Sequence, residues 1–158
     1  MSEAFAQMAK RNAGFMYRIA HSLLRNTQDA EDAVQECLLK LLRLGGWQEI
    51  RDERAFLARS VWRSAVGRLP RAQLRVVELE DVSLATAARS PEEHAIAASN
   101  EERLHRLVDG LPLDLREPLL LSGFHELTSA QIAEVLGIPE GTVRTRIKRA
   151  REELRRRW

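Results

Sequence analysis

Apolar residues along this chain recur at three- and four-residue steps, and each run ends at a residue that stops helices. Phe5, Met8, Phe15, Met16, Ile19, Ala20, Leu23 and Leu24 form the first run, punctuated by Asn26 or Thr27. That spacing predicts an amphipathic helix. Ala30, Ala33, Val34, Cys37, Leu38, Leu41 and Leu42 predict a second, with acids in its first turn to complement the helix dipole and Gly45-Gly46 to end it. A third runs from about Glu53 to Leu69 and stops before Pro70, because a proline disfavours helical geometry in the residue preceding it. Residues 70–100 lose the periodicity and hold Pro70, Pro91 and the acids Glu78, Glu80 and Asp81, the pattern of an exposed linker. Beyond it, Leu104, Leu107, Val108 and Leu111 predict a fourth helix, Leu115 to Phe124 a fifth, and two more surround Leu136-Gly137-Ile138-Pro139. The expectation is an all-α protein of two small helical domains joined by a flexible linker: residues 1–70, an acidic connection over 71–100, and residues 101–158.

The last two helices carry the most informative pattern. Ile132, Ala133 and Leu136 pack the first, Gly137 permits a sharp turn, and Pro139 pre-sets the start of the second, which is the layout of a helix-turn-helix. Val143, Ile147, Ala150 and Leu154 fall on one side of the second helix, which leaves Thr145, Lys148 and Arg149 opposite and Arg144 at the flank. Residues 142–158 hold 8 basic side chains against 2 acidic ones. Such a helix suits a major groove, where Arg and Lys donate to guanine edges while Thr142 and the helix N-terminus hold phosphates. A merely solvated terminal helix leaves the spacing of Gly137, Pro139, Gly141 and Thr142 unexplained. The run Arg155-Arg156-Arg157 adds nonspecific attraction only.

Composition narrows the class further. Aromatic residues are only 5% of the 158, and one cysteine, Cys37, excludes an internal disulfide. The four histidines are scattered without metal-ligand spacing, so no metal or cofactor is expected. No apolar run approaches the ~20 residues of a membrane span and the N-terminus has no signal-like pattern, which predicts a cytoplasmic protein without membrane insertion. Net charge is +2, distributed as +5 over residues 1–75 (13 basic, 8 acidic), −6 over 76–102 and +3 over 103–158. Two basic blocks therefore flank an acidic bridge. No nucleophile elbow, phosphate-binding glycine loop or carboxylate pair is present, so an enzyme is not expected.

In the second helix, Asp32, Gln35, Glu36 and Leu39 share the side away from the Ala/Val/Leu core face, and an exposed leucine beside acids and an amide suggests a protein partner. The stretch Asp29-Ala30-Glu31-Asp32-Ala33-Val34-Gln35 resembles the region-two core-binding helix of the extracytoplasmic-function sigma factors of bacterial RNA polymerase, and the helix-turn-helix resembles their region four. The resemblance covers both modules. It implies that Asp32, Gln35 and Glu36, with Leu39 added from helical geometry, bind the clamp helices of the polymerase's largest subunit. It also implies that Arg144, Thr145, Lys148 and Arg149 read a minus-thirty-five promoter element, and that an anti-sigma factor is a further partner.

The segment from Arg54 to Leu69 is similar to the family's melting and minus-ten helix, with two departures: Arg63 stands where the family usually has Asn, and Gly67 where it usually has Asp. Arg59, Trp62 and Arg63 are the candidates there. Arg63 can stack on a base or grip phosphate without the selectivity of Asn. Trp62 is either a stacking platform for unpaired DNA or a core residue, and Trp47 in the preceding loop is open to the same two readings. Two alternatives stand beside the sigma factor: a degenerate sigma-like regulatory protein, favoured by Arg63 and Gly67, and a helix-turn-helix transcriptional regulator without initiation activity.

Overall fold

The computed structural model describes residues 2–70, 100–123 and 125–158, and the acidic connection lies outside the described residues apart from Asn100. Seven α-helices and one short 3-10 turn make up the described structure, and no strand occurs among the described residues. They are α1 (Glu3–Leu24), α2 (Thr27–Leu44), α3 (Glu53–Gly67), α4 (Asn100–Asp109), α5 (Leu113–Gly123), α6 (Ser129–Leu136) and α7 (Glu140–Arg157), with the turn at Trp47–Glu49.

Each helix of the first module starts on a side chain that accepts a hydrogen bond from an otherwise orphaned backbone N–H. Ser2 accepts from Phe5 at 3.2 Å, Asn26 from Asp29 at 2.9 Å and Asp52 from Ala55 at 3.0 Å. Helices α1, α2 and α3 pack mutually, burying Phe5, Met16, Ile19, Ala33, Cys37 and Leu57. Burial pushes the Cys37 thiol up to about 11, so it remains a thiol and serves as a small apolar filler. Trp47 is half-buried and meets Phe5 edge-on, with ring centroids 5.4 Å apart. It is a packing residue.

The second module closes around Leu120, Leu121, Ile132, Val143 and Ala150. Thr128 and Gln131 form a reciprocal capping box at the start of α6, Thr128 Oγ1 accepting from Gln131 N at 3.1 Å and Gln131 Oε1 accepting from Thr128 N at 3.0 Å. Gly137 ends α6 in the left-handed region, φ +68°, where an L side chain is strained.

The two modules form one buried core rather than two separate ones. Helix α3 packs on α6 and α1 on α5. Of the two readings open for Trp62 this packing selects one, and it departs from the sequence expectation at Leu42. Trp62 is 2% exposed and sits in this shared core, so its core reading holds and it offers no open stacking face in this arrangement. Leu42, expected on the core side of α2, is 41% exposed while its neighbour Leu41 is 7% exposed, so the buried stripe of α2 runs through Leu41 and leaves Leu42 at its edge.

Candidate nucleic-acid interface

Helix α7 is seated by its apolar stripe. Val143, Ile147 and Ala150 are buried against the second module, while Leu154 is partly covered. Because side chains one to two positions away project oppositely, Arg144, Thr145, Lys148 and Arg149 are all exposed, as the sequence predicts. Lys148 and Arg149 have no hydrogen bond or ion pair among the described residues, so their charges are available. Arg144 is held by Glu140 one turn back, Nη1 to Oε1 at 3.0 Å. Thr145 donates its hydroxyl to the carbonyl of Gly141 at 3.0 Å, which restrains its rotamer. Thr142 is half-buried at the N-terminal turn.

The start of α7 is capped by Pro139, which has no side chain able to accept from the first turn. That end keeps its positive partial charge for an anion. Beside it, Arg144, Lys148, Arg151 and Arg155 line a groove of about 430 Å³ closed on the other side by Ser122 and Ser129. Four cations and two hydroxyls against one acid, Glu152, give this open groove a net positive lining that suits a phosphate backbone.

On α2 the four candidates share one outward face. Leu39 is 52% exposed, with Leu42 one turn further along, and Gln35 is exposed. Asp32 and Glu36 are half-covered by Arg68, which follows α3: Arg68 Nη2 lies 3.0 Å from Glu36 Oε2, and Nη1 lies 4.0 Å from Asp32 Oδ2. Lys40 adds a contact to Glu36 at 3.3 Å, and Gln28 donates to Asp32 at 2.9 Å. Slight burial opposes charge on Glu36, but the bonds and charges of Lys40 and Arg68 outweigh it and hold the carboxyl below its ordinary range. Sequence reasoning missed Arg68, since nothing in the local pattern says that the end of α3 reaches α2.

Helix α3 separates its three candidates. Arg63 is exposed, Arg59 is half-exposed, and Trp62 is turned inward, where its indole N–H donates to the Glu117 carboxylate of α5. Burial raises the Glu117 carboxyl above its ordinary value, against the opposing effects of Trp62, Arg116 and Arg146. Three further hydrogen bonds join the modules nearby. Gln131 Nε2 donates to Asp52 Oδ2 at 3.2 Å, Arg54 Nη2 donates to the carbonyl of His125 at 2.9 Å, and the His125 ring pairs with the Ser22 hydroxyl at 2.9 Å. Asp52 and Gln131 each cap their own helix as well, so two helix starts are tied through one contact.

Comparison with known proteins matches this two-module layout. The family profile for Sigma-70 region 2 matches residues 8–75, and that for Sigma-70, region 4 matches residues 101–154. The chain is 31% identical over 155 residues to the ECF RNA polymerase sigma factor SigM of Mycobacterium tuberculosis, which covers 97% of this chain and 76% of that protein. It is 29% identical over 142 residues to the RNA polymerase sigma factor SigV of Bacillus subtilis, covering 88% and 81%. Among solved structures, the sigma factor RpoE of Bartonella quintana, crystallised with the anti-sigma factor NepR, superposes with a TM-score of 0.70 at 21% identity over 98% of this chain and 96% of that one. CnrH, in complex with the cytosolic domain of CnrY, gives a TM-score of 0.68 at 22% identity over 98% and 86%. With both regions matched in order on the helices that carry them, and relatives aligned over nearly the whole length, the chain belongs to the extracytoplasmic-function RNA polymerase sigma factors of the sigma-70 family.

Proposed function

We propose that the chain directs core polymerase to promoters through three separate faces. Asp32, Gln35, Glu36 and Leu39 on α2 dock on the clamp helices of the largest polymerase subunit, an apolar patch rimmed by charge. Thr142, Arg144, Thr145, Lys148 and Arg149 on α7 read the minus-thirty-five element in duplex DNA. Arg59 and Arg63 on α3, with Trp62 when it is uncovered, contact the melted minus-ten strand. In this reading residues 1–70 are the polymerase and minus-ten unit, 71–100 the acidic connection, and 101–158 the minus-thirty-five unit.

The observation that carries the reading is the seating of α7: its apolar stripe is buried and its cations face outward beside an uncapped helix start. Phosphate attraction supplies affinity and base-edge contacts supply choice. The chain contributes no catalytic group, and phosphodiester chemistry belongs to the polymerase. A cytoplasmic setting follows from that partner; none of the described helices is long and apolar enough to cross a membrane. An anti-sigma factor is a further partner, supported by the likeness to two sigma factors solved with bound regulators.

The test is in-vitro transcription with purified core polymerase and a pooled library of upstream DNA, with and without this protein. Protein-dependent initiation at a shared upstream motif is the expected result. Polymerase binding without initiation would move the chain to the sigma-like regulators, with Arg63 and Gly67 as the residues to examine.

A further inference from the structure

We propose that Arg68 is an internal counter-ion for the polymerase-docking face of α2, exchanged for a basic side chain of the polymerase on docking, and that it thereby sets how tightly and how salt-dependently the holoenzyme assembles. The proposal rests on the reading above that Asp32, Gln35, Glu36 and Leu39 form that face.

In the sequence the face carries two acids, but in the folded chain its charge is balanced. Asp32 and Glu36 bring two negative charges, and Lys40 and Arg68 stand against them with two positive ones. The two cations differ in how they are held. Lys40 lies on α2 itself, one turn beyond Glu36, and its side chain is 64% exposed. Arg68 follows Glu36 by 32 positions, is 32% exposed, and reaches both acids, with Nη2 3.0 Å from Glu36 Oε2 and Nη1 4.0 Å from Asp32 Oδ2. Its backbone is fixed on both sides. One turn earlier, Ser64 donates to the Ala33 carbonyl of α2 at 3.2 Å. The Arg68 N–H donates to the Ala65 carbonyl at 3.0 Å, and the next residue, Leu69, is buried. The packing of α3 on α2 therefore delivers the guanidinium to the acids.

Counting charges gives the consequence for docking. A partner that packs on Leu39 and Leu42 meets carboxylates that are already paired. To use them, its cations must displace Arg68, so ion pairs break as ion pairs form. The exchange changes the number of pairs little, and it nearly cancels both in free energy and in salt dependence. Leucine burial then supplies the net attraction, while a partner without suitably placed cations leaves Arg68 in position and gains nothing from the acids.

Arg68→Gln leaves two acids against Lys40 alone, a net charge of −1 on the face. The variant should bind core polymerase about 3- to 10-fold more tightly than wild type at about 50 mM salt. That advantage should fade toward equality near 500 mM, as the Debye length contracts from roughly 14 to roughly 4 Å. A residue that only buttressed the acids gives the opposite sign, with weaker binding at every salt concentration.

The experiment is biolayer interferometry of the full chain on immobilised cognate core polymerase, run from about 50 to about 500 mM salt. Wild type is compared with Arg68→Gln, Arg68→Lys, Asp32→Asn/Glu36→Gln, and that pair combined with Arg68→Gln. Arg68→Gln should tighten binding and steepen its salt dependence, and Arg68→Lys should stay close to wild type. The neutralised acids should weaken binding, and adding Arg68→Gln to them should change nothing further. Binding by Arg68→Gln that equals or falls below wild type at low salt overturns the exchange, and the docking reading survives if Asp32→Asn/Glu36→Gln still weakens assembly. Unchanged binding by Asp32→Asn/Glu36→Gln overturns the docking reading and the exchange with it. If Arg68→Gln loses helical circular dichroism, Arg68 is a stability element and the proposal is likewise overturned.

Discussion

Neutralising Lys148 and Arg149 tests how α7 meets DNA. Both side chains are exposed and unpaired among the described residues, and Arg151 beside them is likewise exposed, whereas Arg144 shares its charge with Glu140. Counting Lys148, Arg149 and Arg151 as one phosphate neutralisation each and Arg144 as a further one at most, Z is about 3 to 4. The slope of log K against log salt is then roughly −3 for duplex binding. Between 50 and 200 mM salt a slope of that size costs the wild type about 40- to 150-fold in affinity. Lys148→Ala/Arg149→Ala should flatten the slope by about 1.8 and reduce the loss to roughly 3- to 12-fold. Fluorescence anisotropy with a labelled promoter duplex over a salt series measures it directly. If Arg149 also makes a bidentate contact to a base, Arg149→Ala alone loses about 1–3 kcal/mol on the promoter and less on scrambled DNA. An unchanged salt slope in the double variant would refute the assignment of this face to DNA and leave α7 as a solvated helix.

Acidification should loosen the junction between the modules. Burial, with the charges of Arg18 and Arg54, lowers the His125 imidazole to about 4, against about 6.5 in the unfolded chain. Its contribution is therefore fully present above pH 6.5 and is lost as the pH falls toward 4, by about 1–3 kcal/mol; urea titrations across that window should show the decline, and His125→Gln should flatten it. Replacing Thr128 by Ala removes half of the capping box and should cost about 1 kcal/mol, read as a lower melting temperature. Gln35→Ala/Leu39→Ala should abolish co-purification with core polymerase while leaving duplex binding by α7 unchanged, because both side chains already lie in solvent and hold up no core.

The local layout was legible in the sequence because helix periodicity and capping are local properties. The stripes of α1, α2 and α7, the stop at Gly45-Gly46 and the turn at Gly137 each depend on residues a few positions apart, and the outward set Arg144, Thr145, Lys148 and Arg149 follows from 3.6 residues per turn alone. What required the tertiary structure was every decision linking distant segments. A period can put Trp62 on a face but cannot say whether that face meets solvent, DNA or another helix, and here Glu117, fifty-five positions away, covers it. Leu42 matched the core stripe of α2, yet the packing buries its neighbour Leu41 and leaves Leu42 facing outward. Arg68 bracing Asp32 and Glu36, and Asp52 meeting Gln131, are likewise products of packing angles between helices, which depend on how whole surfaces interlock. The sequence by itself determined which side chains can face outward; the packing of α3 against α5 and α6 decided which of them do.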